Sequence, residues 1–238
     1  LDFYKNAIDI NRETVELEDW NFADLHILVG HTYLDLENYR QALNYYKKSF
    51  EFYSAGNSRI HLTGRTQSLN NIGNALLKIE NYEQALIHYK KSFELNSQLK
   101  NQRDLARNHT NLGLTYKKIE QAVLAKKHLE KALLIRENIL GKYHPSNTIY
   151  YNNLGYFHAE ETQFEESLSF YQKSLFALVP DFRDNDFYKN PNLSGNRILG
   201  KKNNLKVVLY RKGKLFFAWA KSKNNDLNLL KLSLETFQ

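Results

Sequence analysis

The sequence predicts an all-α fold of antiparallel helix pairs stacked in a row. Three observations predict it. A small-residue motif returns four times with constant internal spacing. Chain breakers are scarce, with 10 Gly and 3 Pro in 238 residues. Between the motif residues, apolar side chains recur every third or fourth position, the spacing of one helix face.

The motif reads Val29-Gly30-x-x-Tyr33 with Ala42-Leu43-x-x-Tyr46-x-x-Ser49, then Ile72-Gly73-x-x-Leu76 with Ala85-Leu86-x-x-Tyr89-x-x-Ser92. It returns as Leu112-Gly113-x-x-Tyr116 with Ala125-x-x-x-Leu129-x-x-Ala132, and as Leu154-Gly155-x-x-His158 with Ser167-Leu168-x-x-Tyr171-x-x-Ser174. Each Gly precedes its Ala or Ser by 12 residues, and successive Gly are 43, 40 and 42 apart. A helix-interior Gly costs about 1 kcal/mol relative to Ala, so four at matching sites need a reason. Close approach supplies one: the first helix presents Gly where the second presents Ala or Ser, and Tyr and Leu fill the space around the contact. One such pair cannot bury its apolar face alone, whereas a stack can.

Taken in order, residues 1–20 read as the second helix of a preceding pair, with Tyr4 and Ala7 in the Tyr and Ser positions. Four pairs follow, at about 21–58, 59–100, 101–143 and 144–178. Residues 179–202 break the pattern, because Pro180, Pro191 and the Asp and Asn between them favour turns. A further pair over 203–238 is interrupted at Gln238. Both ends fall inside helical patterns, so a piece of a longer chain is expected.

The repeat resembles that of the tetratricopeptide-repeat (TPR) family, strongly over about residues 20–178. Its period near 42 exceeds the usual ~34 residues and is similar to the kinesin-light-chain subtype. Gly141-Lys142-Tyr143-His144-Pro145 is similar to that subtype's linker between repeats. The resemblance implies an α–α superhelix whose first helices line a concave, peptide-binding face.

Counting the repeat Gly as position 8, positions 2, 5, 6, 9, 12 and 13 share the face away from the Gly contact. They carry Gln67, Asn70, Asn71, Asn74 and Lys78 in the second repeat, and Arg107, Thr110, Asn111, Leu114, Lys117 and Lys118 in the third. The fourth carries Asn152, Asn153, Tyr156 and Glu160, and the first departs with Ile27, Leu28, His31 and Asp35. Asn71, Asn111 and Asn153 occupy one position, although Asn is a poor helix-interior residue. A side-chain amide both donates and accepts, so it can hold the backbone of an extended peptide, a use the resemblance also implies. Lys78, Arg107, Lys117 and Lys118 would add attraction for an acidic peptide. The alternative is that these Asn bond to neighbouring repeats and stiffen the stack. The candidate peptide-binding set is Asn70, Asn71, Asn74, Lys78, Arg107, Asn111, Lys118, Asn152, Asn153 and Tyr156.

Other chemistry is not indicated. There is no Cys, which removes disulfides, thiolate zinc sites and Cys nucleophiles. The eight His are scattered, with no His-Glu-x-x-His, so no metal site is expected. Glu160-Glu161 and Glu165-Glu166 read as a solvated turn, and the Tyr stripe at 46, 89 and 171 as core. No nucleophile elbow, phosphate loop or dinucleotide fingerprint appears, so neither cofactor nor catalysis is expected. No stretch reaches the ~20 apolar residues that span a bilayer, and a cytoplasmic, membrane-free protein is expected.

The net charge of +7 is uneven: residues 1–180 are neutral, and 181–238 hold 12 Lys and Arg against 5 Asp and Glu. Lysines from Lys201 to Lys223 surround Phe216, Phe217 and Trp219. The expected reading is an amphipathic helix pair with buried aromatics and solvated lysines, ahead of an acidic protein surface or a nucleic acid as partner. Open ends of a stack also allow self-association.

A second resemblance rests on Pro180-Asp181-Phe182, Asp186-Phe187-Tyr188-x-Asn190-Pro191, Lys212-Gly213-Lys214 and Leu234-Glu235-Thr236-Phe237-Gln238. These look like the TPR region ahead of a caspase-like CHAT protease domain in bacterial proteins. Two functions follow: a non-catalytic protein-interaction scaffold, or the regulatory arm of such a protease.

Overall fold

The computed structural model describes residues 20–192, 198–199 and 202–237. The expected helix over 1–20 therefore lies almost wholly outside the described residues. The described residues form ten α-helices, one 3-10 turn and no strand, so the all-α expectation holds. The chain divides into two compact units, Leu1–Ala125 and Lys126–Gln238.

In the first unit, α1 (Trp20–Asp35), α2 (Tyr39–Ser54), α3 (Arg59–Lys78), α4 (Tyr82–Gln98) and α5 (Gln102–Lys118) each pack on the next. Contacts of α3 with α1 and with α5 put these three in one layer. Side-chain caps start the helices: Asn38, Ser58, Asn81 and Asn101 accept from the backbone N–H of Gln41, His61, Gln84 and Asp104. The first helix of each pair ends on a residue with left-handed backbone, Glu37 at φ 57° and Glu80 at φ 62°. The next residue's N–H then reaches five residues back, Asn38 to Tyr33 O at 2.8 Å and Asn81 to Leu76 O at 2.9 Å, which reverses the chain tightly.

In the first unit, Gly30 and Gly73 sit under tyrosine rings. A Cβ on Gly30 would stand 2.4 Å from Tyr46 Cε1, and one on Gly73 would stand 2.5 Å from Tyr89 Cε1. Both rings are wholly buried, as the Tyr stripe predicts. The close approach is thus Gly to Tyr ring, with the buried Ala42 and Ala85 one turn earlier on the second helix.

The helix α6 (Ala122–Leu140) runs from the end of the first unit into the second. The second unit then holds a 3-10 turn (Pro145–Asn147), α7 (Thr148–Glu160), α8 (Phe164–Leu178), α9 (Lys202–Ser222) and α10 (Leu227–Phe237). α7 packs on α8, α8 on α9 and α9 on α10, and α9 also touches α7. Gly155 repeats the ring contact, a Cβ there standing 2.6 Å from Tyr171 Cε1, and its carbonyl accepts from Ser167 Oγ at 2.7 Å.

Residues 179–192 are turns and irregular chain. Arg183 fastens them: its guanidinium donates to the carbonyls of Phe176 at 2.7 Å and Phe182 at 3.0 Å and lies over the rings of Tyr143 and Phe176. Two expectations for the basic region are corrected. Phe216 and Trp219 are buried, but Phe217 is 45% exposed, because it lies beyond the edge of the buried stripe that Leu205, Val208, Leu215, Phe216 and Trp219 form on α9. Lys212 is not solvated. It is wholly buried, and its Nζ donates to Gln172 Oε1 at 3.0 Å and to Lys189 O at 2.6 Å.

Candidate functional site

In the first unit, Asn70 belongs to the interior and not to an accessible face. It is 1% exposed, at the junction of α3, α4 and α5. Its Nδ2 donates to Ser92 Oγ at 2.7 Å and Thr66 O at 3.0 Å. Its Oδ1 accepts from Asn108 Nδ2 at 2.9 Å and Asn111 Nδ2 at 3.4 Å. Asn96 Nδ2 completes the chain by donating to Asn108 Oδ1 at 2.7 Å. This is the stiffening role weighed for the asparagines, and it takes Asn70. Asn108→Ala should cost about 2–3 kcal/mol, because Asn70 Oδ1 and Asn96 Nδ2 lose buried partners. Urea unfolding with an unchanged m-value checks it.

The other candidates of this unit are more open. Asn71 is 7% exposed, and its Nδ2 has no hydrogen-bond partner among the described residues. Asn74 is half-buried and accepts from Tyr89 OH at 2.7 Å, which orients its amide. Asn111 is half-buried, with only the long bond to Asn70. Lys78 and Lys118 are exposed in the last turns of α3 and α5, where cations favour the helix C-terminus. Arg107 is exposed and pairs with Asp104 at 3.0 Å.

In the second unit, Asn152, Asn153 and Tyr156 meet α9 at two adjoining cavities. The smaller, about 240 Å³, is lined by Asn152 and Asn153 with Thr148, Ile149, Asn204, Val207 and Arg211. The larger, about 510 Å³, is lined by Tyr156, Glu160, Tyr210, Arg211, Lys214 and Phe217 among others. Arg211 stands between them: it donates to Asn152 O at 3.2 Å and lies 5.4 Å over the Tyr156 ring. Asn152 is 6% exposed, and its Oδ1 has no partner among the described residues. Burial first, then Glu160, pushes the Tyr156 phenol up, and Arg211 opposes them. Tyr156 therefore stays a neutral donor and acceptor at physiological pH.

Sequence reading missed Arg211, Lys214 and Asn204 as members of this site. The irregular 179–192 breaks the repeat register, so no position count could say which α9 residues face α7. The signal present was the cation run itself. Among the described residues, no group of His, Asp and Glu could hold a metal ion, and no helix is long and apolar enough to cross a membrane.

Repeated helix pairs and Gly-under-Tyr packing define a TPR protein. Models of the tetratricopeptide repeat match residues 23–55, 66–99 and 104–175, and the chain belongs to the TPR family. No curated protein matches the sequence. Among solved structures, BtubC (BKLC) from P. vanneervenii is similar at TM-score 0.70 and 10% identity, over 98% of this chain and 86% of that one. A putative kinesin light chain of Podosopora anserina with nearly identical TPR-like repeats matches at TM-score 0.64 and 12% identity, over 89% and 92%. The Rap conjugation gene regulator of plasmid pLS20, solved with the Phr* peptide, matches at TM-score 0.65 and 15% identity, over 98% of this chain and 56% of that one.

Proposed function

We propose that this chain is a non-catalytic interaction scaffold that holds a peptide, or an extended segment of a partner protein, against its first helices. The observation that carries the reading is Asn152. Its amide oxygen is buried without a partner among the described residues, and the residue lines a cavity with Asn153 and Asn204. An unpaired buried acceptor costs roughly 1–3 kcal/mol, and a peptide N–H would satisfy it. Asn71 Nδ2, in the first unit taken by itself, is an unpaired donor suited to a peptide carbonyl. The Rap regulator solved with its Phr* peptide is a TPR-like fold that takes such a ligand. The regulatory arm of a caspase-like protease gains no support from the fold or from these relatives.

The test is panning of a random twelve-residue phage-displayed peptide library on the immobilised chain. Discrete peptides should be enriched, and Asn152→Ala with Asn153→Ala should weaken them by about tenfold or more, the loss expected for two backbone hydrogen bonds. Melting of the double variant should stay within a few degrees of wild type. No enrichment, or full affinity in the variant, would sink the reading.

A further inference from the structure

We infer that the joint face of α7 and α9 docks an acidic segment of a partner protein carrying large apolar side chains. The inference rests on the peptide-binding reading above and names the chemistry of the ligand.

Among the exposed residues of α9, Val207, Tyr210, Lys214, Phe217 and Lys221 recur every three or four positions and share one stripe. Val207, Tyr210 and Phe217 are 43, 52 and 45% exposed. A single exposed apolar side chain is ordinary, but a contiguous apolar strip with a polar rim marks an interaction surface. The strip is contiguous here because it shares cavities with α7: Val207 lines one with Ile149, and Tyr210 and Phe217 line the other with Tyr156. Ile149 and Tyr156 are themselves 59 and 40% exposed.

Charge selects the occupant. α9 carries six Lys and Arg and no Asp or Glu. Its cations interleave with the aromatics: Lys214 lies 4.8 Å from the Tyr210 centroid, Lys221 4.6 Å from that of Phe217, and Arg211 5.4 Å from that of Tyr156. A bound segment that filled the larger cavity with an apolar side chain would bring its neighbouring residues against these cations. Carboxylates there gain attraction and faster association, and cations there are repelled. The one carboxylate lining the cavity is Glu160, which bonds to the Tyr156 hydroxyl. A nucleic acid carries a phosphate at every residue, including beside Glu160, whereas a peptide can set an apolar side chain beside Glu160 and its carboxylates against Lys214 and Lys221. A flat anionic bilayer would not reach Arg211, which is partly covered between the two cavities.

The same panning experiment tests the ligand class through the composition of what it selects. Selected peptides should be rich in Asp and Glu around Leu or Phe. Fluorescence anisotropy with one such synthetic peptide should show binding that weakens with added salt. Arg211→Glu with Lys214→Glu should lower affinity by about tenfold or more, with an unchanged circular dichroism melt. Selected peptides that are neutral or basic, or undiminished binding by the charge-reversed variant, would overturn the ligand class while leaving the peptide-binding reading intact. Preferential binding of phosphatidylserine vesicles or of an oligothymidylate at the same residues would equally overturn it. A library that enriches nothing would defeat the peptide reading itself, and the ligand class with it.

Discussion

Gly73→Leu should lower the unfolding free energy by about 3 kcal/mol, the upper range for overpacking a filled site. A Cβ alone at this position would meet Tyr89 Cε1 at 2.5 Å. The ring has little room to retreat: it is wholly buried, and its hydroxyl donates to Asn74 Oδ1 at 2.7 Å. Restoring a better helix former returns only about 1 kcal/mol, too little to offset the clash. Chemical denaturation reads the loss directly. A double-mutant cycle makes the cause specific. Tyr89→Leu creates space at the same spot, so Gly73→Leu should cost markedly less in that background, with a coupling of 1 kcal/mol or more. Additive losses would mean that the ring contact does not set the cost.

Stability of the second unit should rise between pH 7 and pH 9.5, and Lys212 should be the reason. Burial drives its ammonium from the ordinary lysine range down to about 7, with Asp186 opposing. Its partners are neutral, the Gln172 amide oxygen and the Lys189 carbonyl. Gln172 is held in turn, its Nε2 donating to Asp184 O at 2.9 Å. Between the two pKa values the unfolded lysine holds a proton that the folded one has released. Raising the pH therefore favours the folded state, by ~1.4 kcal/mol per unit. The cost is fully present below pH 7 and is gone above the unfolded value near 10.5. From pH 7 to 9.5 the expected gain is about 3 kcal/mol. Above that, tyrosines freed by unfolding ionise near 10 while buried Tyr171 is pushed up to about 12, which reverses the trend. Lys212→Met keeps the volume and removes the charge, so its stability should rise far less over the same range, with Lys173, whose ammonium burial also pushes down, left to contribute. Parallel curves for the two proteins would refute the assignment. Absolute stability is the weaker readout, because removing the buried charge helps while Gln172 and Lys189 lose a donor.

Much of the architecture was legible along the chain. Four glycines 12 residues ahead of an Ala or Ser revealed the pairing of helices, and the tyrosines at 46, 89 and 171 read as core. The chain reversals were not legible. They use Glu37, Glu80, Glu120 and Thr162 at positive φ, seven residues after each repeat Gly, where sequence statistics expect Gly or Asn. Gly30, Gly73 and Gly155 were read as admitting a second backbone; they admit a tyrosine ring.

The candidate site was legible in part. Periodicity named Asn70 and Asn71 together, because a helical face is a stripe about 100° wide and adjacent residues can share it. Whether such a stripe lies open or in a seam depends on where the neighbouring helices pass. That depends on packing angles, which no residue count contains. Asn70 thus went to the buried amide chain, while Asn153 and Tyr156 stayed accessible.

What the sequence by itself determined is local and periodic: helices, their pairing and their repeat, because each depends on residues a few turns apart. Tertiary structure alone decided which polar side chains are buried. It sent Lys212 inside and left Lys214 outside on one helix. It also brought Arg211 to Asn152, 59 residues earlier in the chain. The physical reason is that burial is a property of the surface another element covers, and α9 meets α7 only after an irregular segment whose path no repeat dictates.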